Sequence, residues 1–265
     1  MMAGEGSLVF DVVGGKTAVA SARARAPLKI LAPKNHGSAR WTFLSTFGGG
    51  LVDGDVIALD VKVRAGARAL VGTQASTKVY RCPRGEVRQT LAAEVAERGL
   101  LVVVPDPLTP FAGARYEQRS TLRLARGASL AWADVVSCGR AARAERWAFS
   151  RYASRTRIFA DGALLCDDGL VLDAAHRDLA RAFGRFDAIA TLFLVGPDLA
   201  EARASLLARP LAPRADVIFT ATPLGEDGAC ARVAGTSTAG VTAFVRGALA
   251  ELRASIGDDP FSRKW

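Results

Sequence analysis

The sequence predicts a mainly β fold: an irregular β-helix-like body of stacked sheets, carrying a smaller C-terminal α+β portion with two helices. Three observations lead there. Leu59, Val61 and Val63 alternate strictly with Asp60 and Lys62, the two-residue period of a half-buried strand. A strand, corner, strand phrase then recurs: Val61-Lys62-Val63-Arg64-Ala65-Gly66-Ala67 matches Leu122-Arg123-Leu124-Ala125-Arg126-Gly127-Ala128 in character, and Glu97-Arg98-Gly99-Leu100-Leu101 is a looser third copy. Almost no helical text separates these units before Asp173. Stacked units bury their apolar faces on one another, as solenoids do. A β-sandwich gives similar local patterns, and pattern alone leaves both open.

Taken in order, residues 8–31 read as strands around a turn at Gly14-Gly15. Gly15-Lys16-Thr17 imitates a phosphate loop, but the glycine needed five places before Gly15 is Phe10, and strand-like text follows. A connection with Pro33, His36 and Gly37 leads to a short strand at 41–44. Residues 47–80 open with Gly48-Gly49-Gly50, turn at Asp53-Gly54-Asp55, and give two strands hinged at Ala65-Gly66. Strands follow near 87–91, at the apolar run 100–104 and at 116–124, with a loop or bulge at 111–114. Asp161-Gly162 and Asp167-Asp168-Gly169 mark turns. Past Asp173 the text predicts a helical turn at 178–183, strands at 188–195, 217–221 and 229–233, and helices at 198–208 and 238–256, an α+β arrangement. The division is thus a body over 8–173, a packed portion over 174–257, and a loose tail over 258–265.

The totals narrow the function. Half of the 265 residues are hydrophobic, ample for a core, and the net charge is +9, mostly from arginine. The arginines are scattered singly, and few aromatics interleave with them, so a basic β-rich nucleic-acid-binding protein is the alternative reading rather than the first. The start, MMAGEGSLVF, lacks the features of a targeting segment, and no run approaches the ~20 apolar residues of a membrane span. A cytoplasmic protein with no membrane contact is expected. Cys82, Cys138, Cys166 and Cys230 lie far apart without a C-x-x-C, as reduced thiols do. No hydrolase, metalloprotease or dinucleotide motif is present, so no enzyme is expected. A polysaccharide-active solenoid enzyme, which would use paired carboxylates, fits poorly with the absent export signal.

Several blocks converge in order: GGKT at 14–17, GGGLVDGD at 48–55, TQASTKVYR at 73–81, PFAGA at 110–114, and Asp134 through Gly139-Arg140 to Glu145. Together they resemble the urease accessory protein UreD (UreH) family over most of residues 8–173. The resemblance implies a non-catalytic chaperone of urease maturation with a β-helical body and two helices. Its implied partners are apo-urease subunits, UreF, and UreG through UreF. The implied cargo is nickel, passed transiently through the interior, with no tightly bound cofactor.

Loose passage of a divalent ion calls for scattered oxygen ligands rather than a four-ligand cage. Asp55, Asp134, Glu145 and Asp167 are the candidates on inward-facing strand positions. Asp55, Asp134 and Glu145 sit where the family carries acids; at Asp167 the family often has Glu. Each has a plainer role: Asp55 as a turn cap, Asp134 and Glu145 as partners of Arg140 or Arg143. His36 and His176 read as surface residues. Gly48, Gly49, Gly50, Lys78, Tyr80, Arg81, Phe111, Gly113 and Arg140 read as an interface or a structural motif, Tyr80 by its polar-ended ring and the glycines by close backbone approach.

Overall fold

The structure, a computed structural model, describes residues 3–34, 37–212, 214–257 and 259. His36 and the tail from 258 on, save Asp259, lie outside the described residues. Strand β1 (Ala3–Val13) turns at Gly14-Gly15 into β2 (Lys16–Ala24), an antiparallel hairpin and no phosphate loop. Then come β3 (Leu28–Leu31), β4 (Arg40–Thr46), β5 (Val56–Val63), β6 (Arg68–Thr73), β7 (Lys78–Val79), β8 (Val87–Val95), β9 (Leu100–Val104) and β10 (Thr109–Pro110). Next are β11 (Arg115–Leu124), β12 (Ser129–Ser137), β13 (Arg151–Ala160) and β14 (Ala163–Asp173). The rest is α1 (Leu179–Phe183), β15 (Ala188–Val195), α2 (Ala200–Ala208), β16 (Val217–Leu224), β17 (Gly228–Gly235), α3 (Thr238–Ala248) and α4 (Leu252–Ile256).

The phrase centred on Gly66 is one coil of a solenoid, because its two strands enter different sheets. One sheet runs β14-β13-β11-β8-β5-β1-β2, the other β16-β17-β15-β12-β9-β6-β4-β3. Successive coils pair in parallel: β5 with β8, β8 with β11 and β11 with β13 in the first sheet, β4 with β6, β6 with β9 and β9 with β12 in the second. A hairpin-built sandwich would pair them antiparallel. The hairpins β1/β2 and β13/β14 finish the first sheet at its two ends.

The three corners between the sheets share one geometry. Ala67, Gly99 and Ala128 each donate a backbone hydrogen bond to the carbonyl three residues back, at 3.0, 2.9 and 3.0 Å. The third corner position is left-handed in each: Gly66 at φ 70°, Gly127 at φ 71°, and Arg98 at φ 54°. Arg98 stands where the other corners have glycine, which explains why the middle copy is the loose one in sequence.

Alternation puts Leu59, Val61, Leu122 and Leu124 of the first sheet against Leu101, Val103, Leu130 and Trp132 of the second, forming the main core. The second sheet's other face, with Leu70, Val102 and Leu194, is covered by Leu206 of α2 and Val241 and Val245 of α3 in a second core. The all-apolar run of β9 is therefore buried on both sides. Strands β15, β17 and β16 extend this second sheet beyond β12, each antiparallel to the one before it. The single helix expected over 238–256 is two. At Leu249 the chain tightens, with Leu252 N bonding Leu249 O (3.1 Å) and Arg253 N bonding Ala250 O (3.3 Å). The re-aimed last turn lets the Ser255 carbonyl accept from Arg68 Nη1 (2.8 Å), tying α4 to the start of β6.

Candidate functional site

Two features gather the residues that the sequence singles out. The first is a wall of stacked loops that lead from the ends of β4, β6, β9 and β12 in the second sheet to the next strands of the first. Leu51 bridges Val79, and Val79 pairs with Pro110, so the motif blocks of successive coils lie side by side. Tyr80 meets Phe111 edge-on at 5.2 Å between ring centroids, and the Arg140 guanidinium lies 4.1 Å over the Phe111 ring. Glu145 grips Arg140 through both carboxylate oxygens, one at 2.8 Å from Nε, and accepts from Ala112 N at 3.2 Å. That clamp, Arg140 foremost, holds the Glu145 carboxyl below its usual range.

Close approach fixes the glycines here. A Cβ on Gly50 would stand 2.7 Å from the Tyr80 ring and 2.9 Å from Lys78 O. One on Gly139, at φ 105°, would stand 2.7 Å from Glu145 O and 2.8 Å from Pro110 O. Gly113 packs on the stem of Arg81. Nothing lies over Gly48 and Gly49, and Phe47 and Val52 beside them are exposed. Asp55, although buried, caps its own turn by accepting from Val52 N at 2.8 Å. The same loop reaches the next coil through Asp53, which accepts from Arg84 N and Gly85 N.

The second feature is a polar layer across the otherwise apolar space between the sheets. On the first sheet, Gln89, Gln118 and Ser154 stand side by side, and Ser120, Thr156 and Asp168 form the next inward row. Facing them on the second sheet, Asp134, Thr191, Arg232 and Thr220 form one cross-strand row. Asp134 accepts from Tyr152 Oη at 3.1 Å and from Gln118 Nε2, and the Tyr116 hydroxyl bonds the amide oxygens of Gln118 (3.0 Å) and Gln89. Tyr116 and Tyr152 stack at 5.8 Å. Burial pushes the Asp134 carboxyl up, against the pull of Tyr152 and Gln118, and the nearby Asp168 charge adds to the rise. Both tyrosines are raised well, by burial first and then by Asp134.

Cavities flank this layer. Asp134, Gln118, Gln89 and Asp106 line one of about 110 Å³, room for several waters. Trp132, whose buried Nε1 has no protein partner, lines it too. Thr191 and Arg232 line a second of about 360 Å³, with Leu170, Phe183 and Ile218. At the second cavity, Arg232 donates to Thr191 Oγ1 at 2.6 Å and pairs with Asp168. Cys230 and Cys166 lie by this pair; burial raises both thiols, Cys230 to about 11, so both stay protonated at neutral pH. All four cysteines are free.

The four carboxylates therefore do not share a place. Asp134 faces the layer, Glu145 and Asp55 serve the loop wall, and Asp167 is the one to correct. It points to the outer face of the first sheet and pairs with Arg155 Nε at 2.8 Å. The cause is a bulge in β14: Ile158 pairs with Cys166 and Phe159 with Leu164, leaving Leu165 over. That one-residue slip reverses which residues face inward and puts Asp168, missed in the sequence reading, on the inner face. An adjoining acid of opposite parity was the only signal for it. Arg140 partners Glu145 but not Asp134. His176 is exposed. Among the described residues, no three His, Cys, Asp or Glu side chains come together as a metal cage. No described helix is long and apolar enough to cross a membrane.

A family model described as UreD urease accessory protein matches residues 2–265. A urease accessory protein UreD of Sorangium cellulosum (strain So ce56) is 54% identical over 265 residues, 99% of this chain and 85% of its own length. One from Anaeromyxobacter sp. (strain Fw109-5) is 42% identical over 270 residues, 99% of this chain and 90% of its own. A urease accessory protein D of Oryza sativa subsp. indica is 32% identical over 292 residues, 98% of this chain and 95% of its own.

Proposed function

The chain belongs to the UreD urease accessory protein family, and we propose from that premise that it is a non-catalytic, cytoplasmic scaffold between apo-urease and UreF, which brings UreG. It assists nickel delivery through its interior, nickel being cargo and not a resident cofactor. One observation carries the passage: a polar layer holding Asp134 crosses an apolar interior between two cavities. Apart from the Arg232 guanidinium, its groups are amide, hydroxyl and carboxylate oxygens, which suit a hydrated divalent ion without trapping it. The thiols that would hold nickel firmly are kept protonated.

In this reading Asp134 is the carboxylate of the passage. Glu145 and Asp55 shape the loop wall, whose exposed Phe47 and Val52, open glycines and Tyr80–Phe111–Arg140 stack offer a partner surface. Asp167 belongs to the outer face, where Arg119 and Arg151 are paired with Glu117 and Asp173. The test is to produce cognate urease subunits with UreF and UreG, with and without this chain, and measure nickel per active site. Low nickel and activity without the chain are expected; full nickel without it would refute the role.

A further inference from the structure

Among the described residues that line the two cavities, Arg232 is the one cation, and it lines the larger, in the cross-strand row that leads through Thr191 to Asp134 of the smaller. Its neighbours are matched to it. Thr191, the next strand's residue in the same row, accepts from Nη1 at 2.6 Å, and Asp168 of the facing sheet takes Nη2. Asp134 lies one strand further along that row. A guanidinium here occupies the Asp168 carboxylate and cancels one of the layer's two negative charges. The larger cavity gives the side chain somewhere else to go, since Arg232 lines it and is 42% exposed.

We propose that Arg232 is an electrostatic gate on this layer. Docked on Asp168 it closes the second cavity to cations. Swung into that cavity it releases the Asp168 carboxylate, beside the row that leads to Asp134. The proposal rests on the passage reading above and adds to it the part that controls entry. Partial exposure of the arginine weakens the pair, so leaving Asp168 is not prohibitive. A divalent ion competes for that carboxylate better than a monovalent one, because its attraction is twice as large at equal distance. The gate thus excludes the abundant monovalent cations and yields to the divalent cargo.

The test uses the untagged full chain with Ni(II) alone as probe, titrated calorimetrically at fixed ionic strength. R232M keeps the length and removes the charge; it is expected to bind Ni(II) about tenfold more tightly than wild type, the scale of one charge beside a carboxylate. R232K keeps the charge and is expected to stay within about twofold of wild type on the same scale. D168N removes the clamp's acid and keeps the cation; it is expected to bind about tenfold more weakly, which keeps the idea testable if R232M does not fold. Equal affinity in wild type and R232M, equal gains in R232M and R232K, or no Ni(II) binding by any variant would overturn the gate. The passage reading fails separately, if D134N supports full nickel loading of co-produced urease.

Discussion

Tyr152 of the first sheet donates a hydrogen bond to Asp134 of the second, at 3.1 Å, inside a body otherwise closed by apolar side chains. The bond joins the two sheets at the point where the interior is polar, and it makes the charge state of Asp134 a property of the fold.

That charge state sets a pH dependence. The Asp134 carboxyl is raised above its reference value of 3.8, chiefly by burial. Between that value and the folded one, the folded chain keeps a proton that the unfolded chain has lost, so stability falls as pH rises through the window. Asp168, Tyr116 and Tyr152 face the same group and shape the titration with it. Asp134→Asn is expected to flatten this limb, read as urea midpoints measured from about pH 4 to pH 7. An unchanged slope would mean that Asp134 is not desolvated.

Glu145 carries the opposite sign. Arg140 first, then the Ala112 amide, lower its carboxyl below 4.5. Its contribution is present above that value and is lost as pH falls through the folded one. Glu145→Gln is expected to remove this acid limb while leaving the Asp134 limb in place, in the same midpoint series.

Gly139→Ala tests the loop wall by force. The new Cβ meets two carbonyl oxygens under 3 Å at φ 105°, at a cost of about 1–3 kcal/mol. A melting temperature unchanged from wild type would show that the loop accommodates a side chain. Partner capture by the variant is expected to fall with the disordered Arg140–Phe111 stack, read by pull-down of UreF.

The corners offer a substitution that should stabilise. Arg98 occupies the left-handed position that Gly66 and Gly127 fill elsewhere. Arg98→Gly is expected to gain up to about 1 kcal/mol and Gly127→Ala to lose about as much, compared by chemical unfolding. Losses in both would mean that the Arg98 side chain contributes more than its backbone costs.

Much of the body was legible because its coils obey local rules. Alternation gave β5, the apolar run gave β9 with its observed ends, and the repeated corner phrase marked the solenoid. The partition of strands into two sheets was not legible, since parallel pairing between coils leaves no trace in any one coil. Asp168 was hidden by the Leu165 bulge, which shifts parity without a distinctive residue. Arg232 was hidden because its meaning depends on a strand 64 positions away. Asp134 and Glu145 stood out together in one motif, and the fold sends one to the interior and the other to the loop wall.

The most direct measurement is nickel per urease active site after co-production with UreF, UreG and Asp134→Ala in place of the wild-type chain, alongside recovery of the complexes. Removing the carboxylate strands two buried donors, at about 1–3 kcal/mol, which the scaffold is expected to tolerate. Complexes that form as with wild type but yield urease with little nickel are the expected result. Complexes that form and yield fully loaded urease would contradict delivery through the interior.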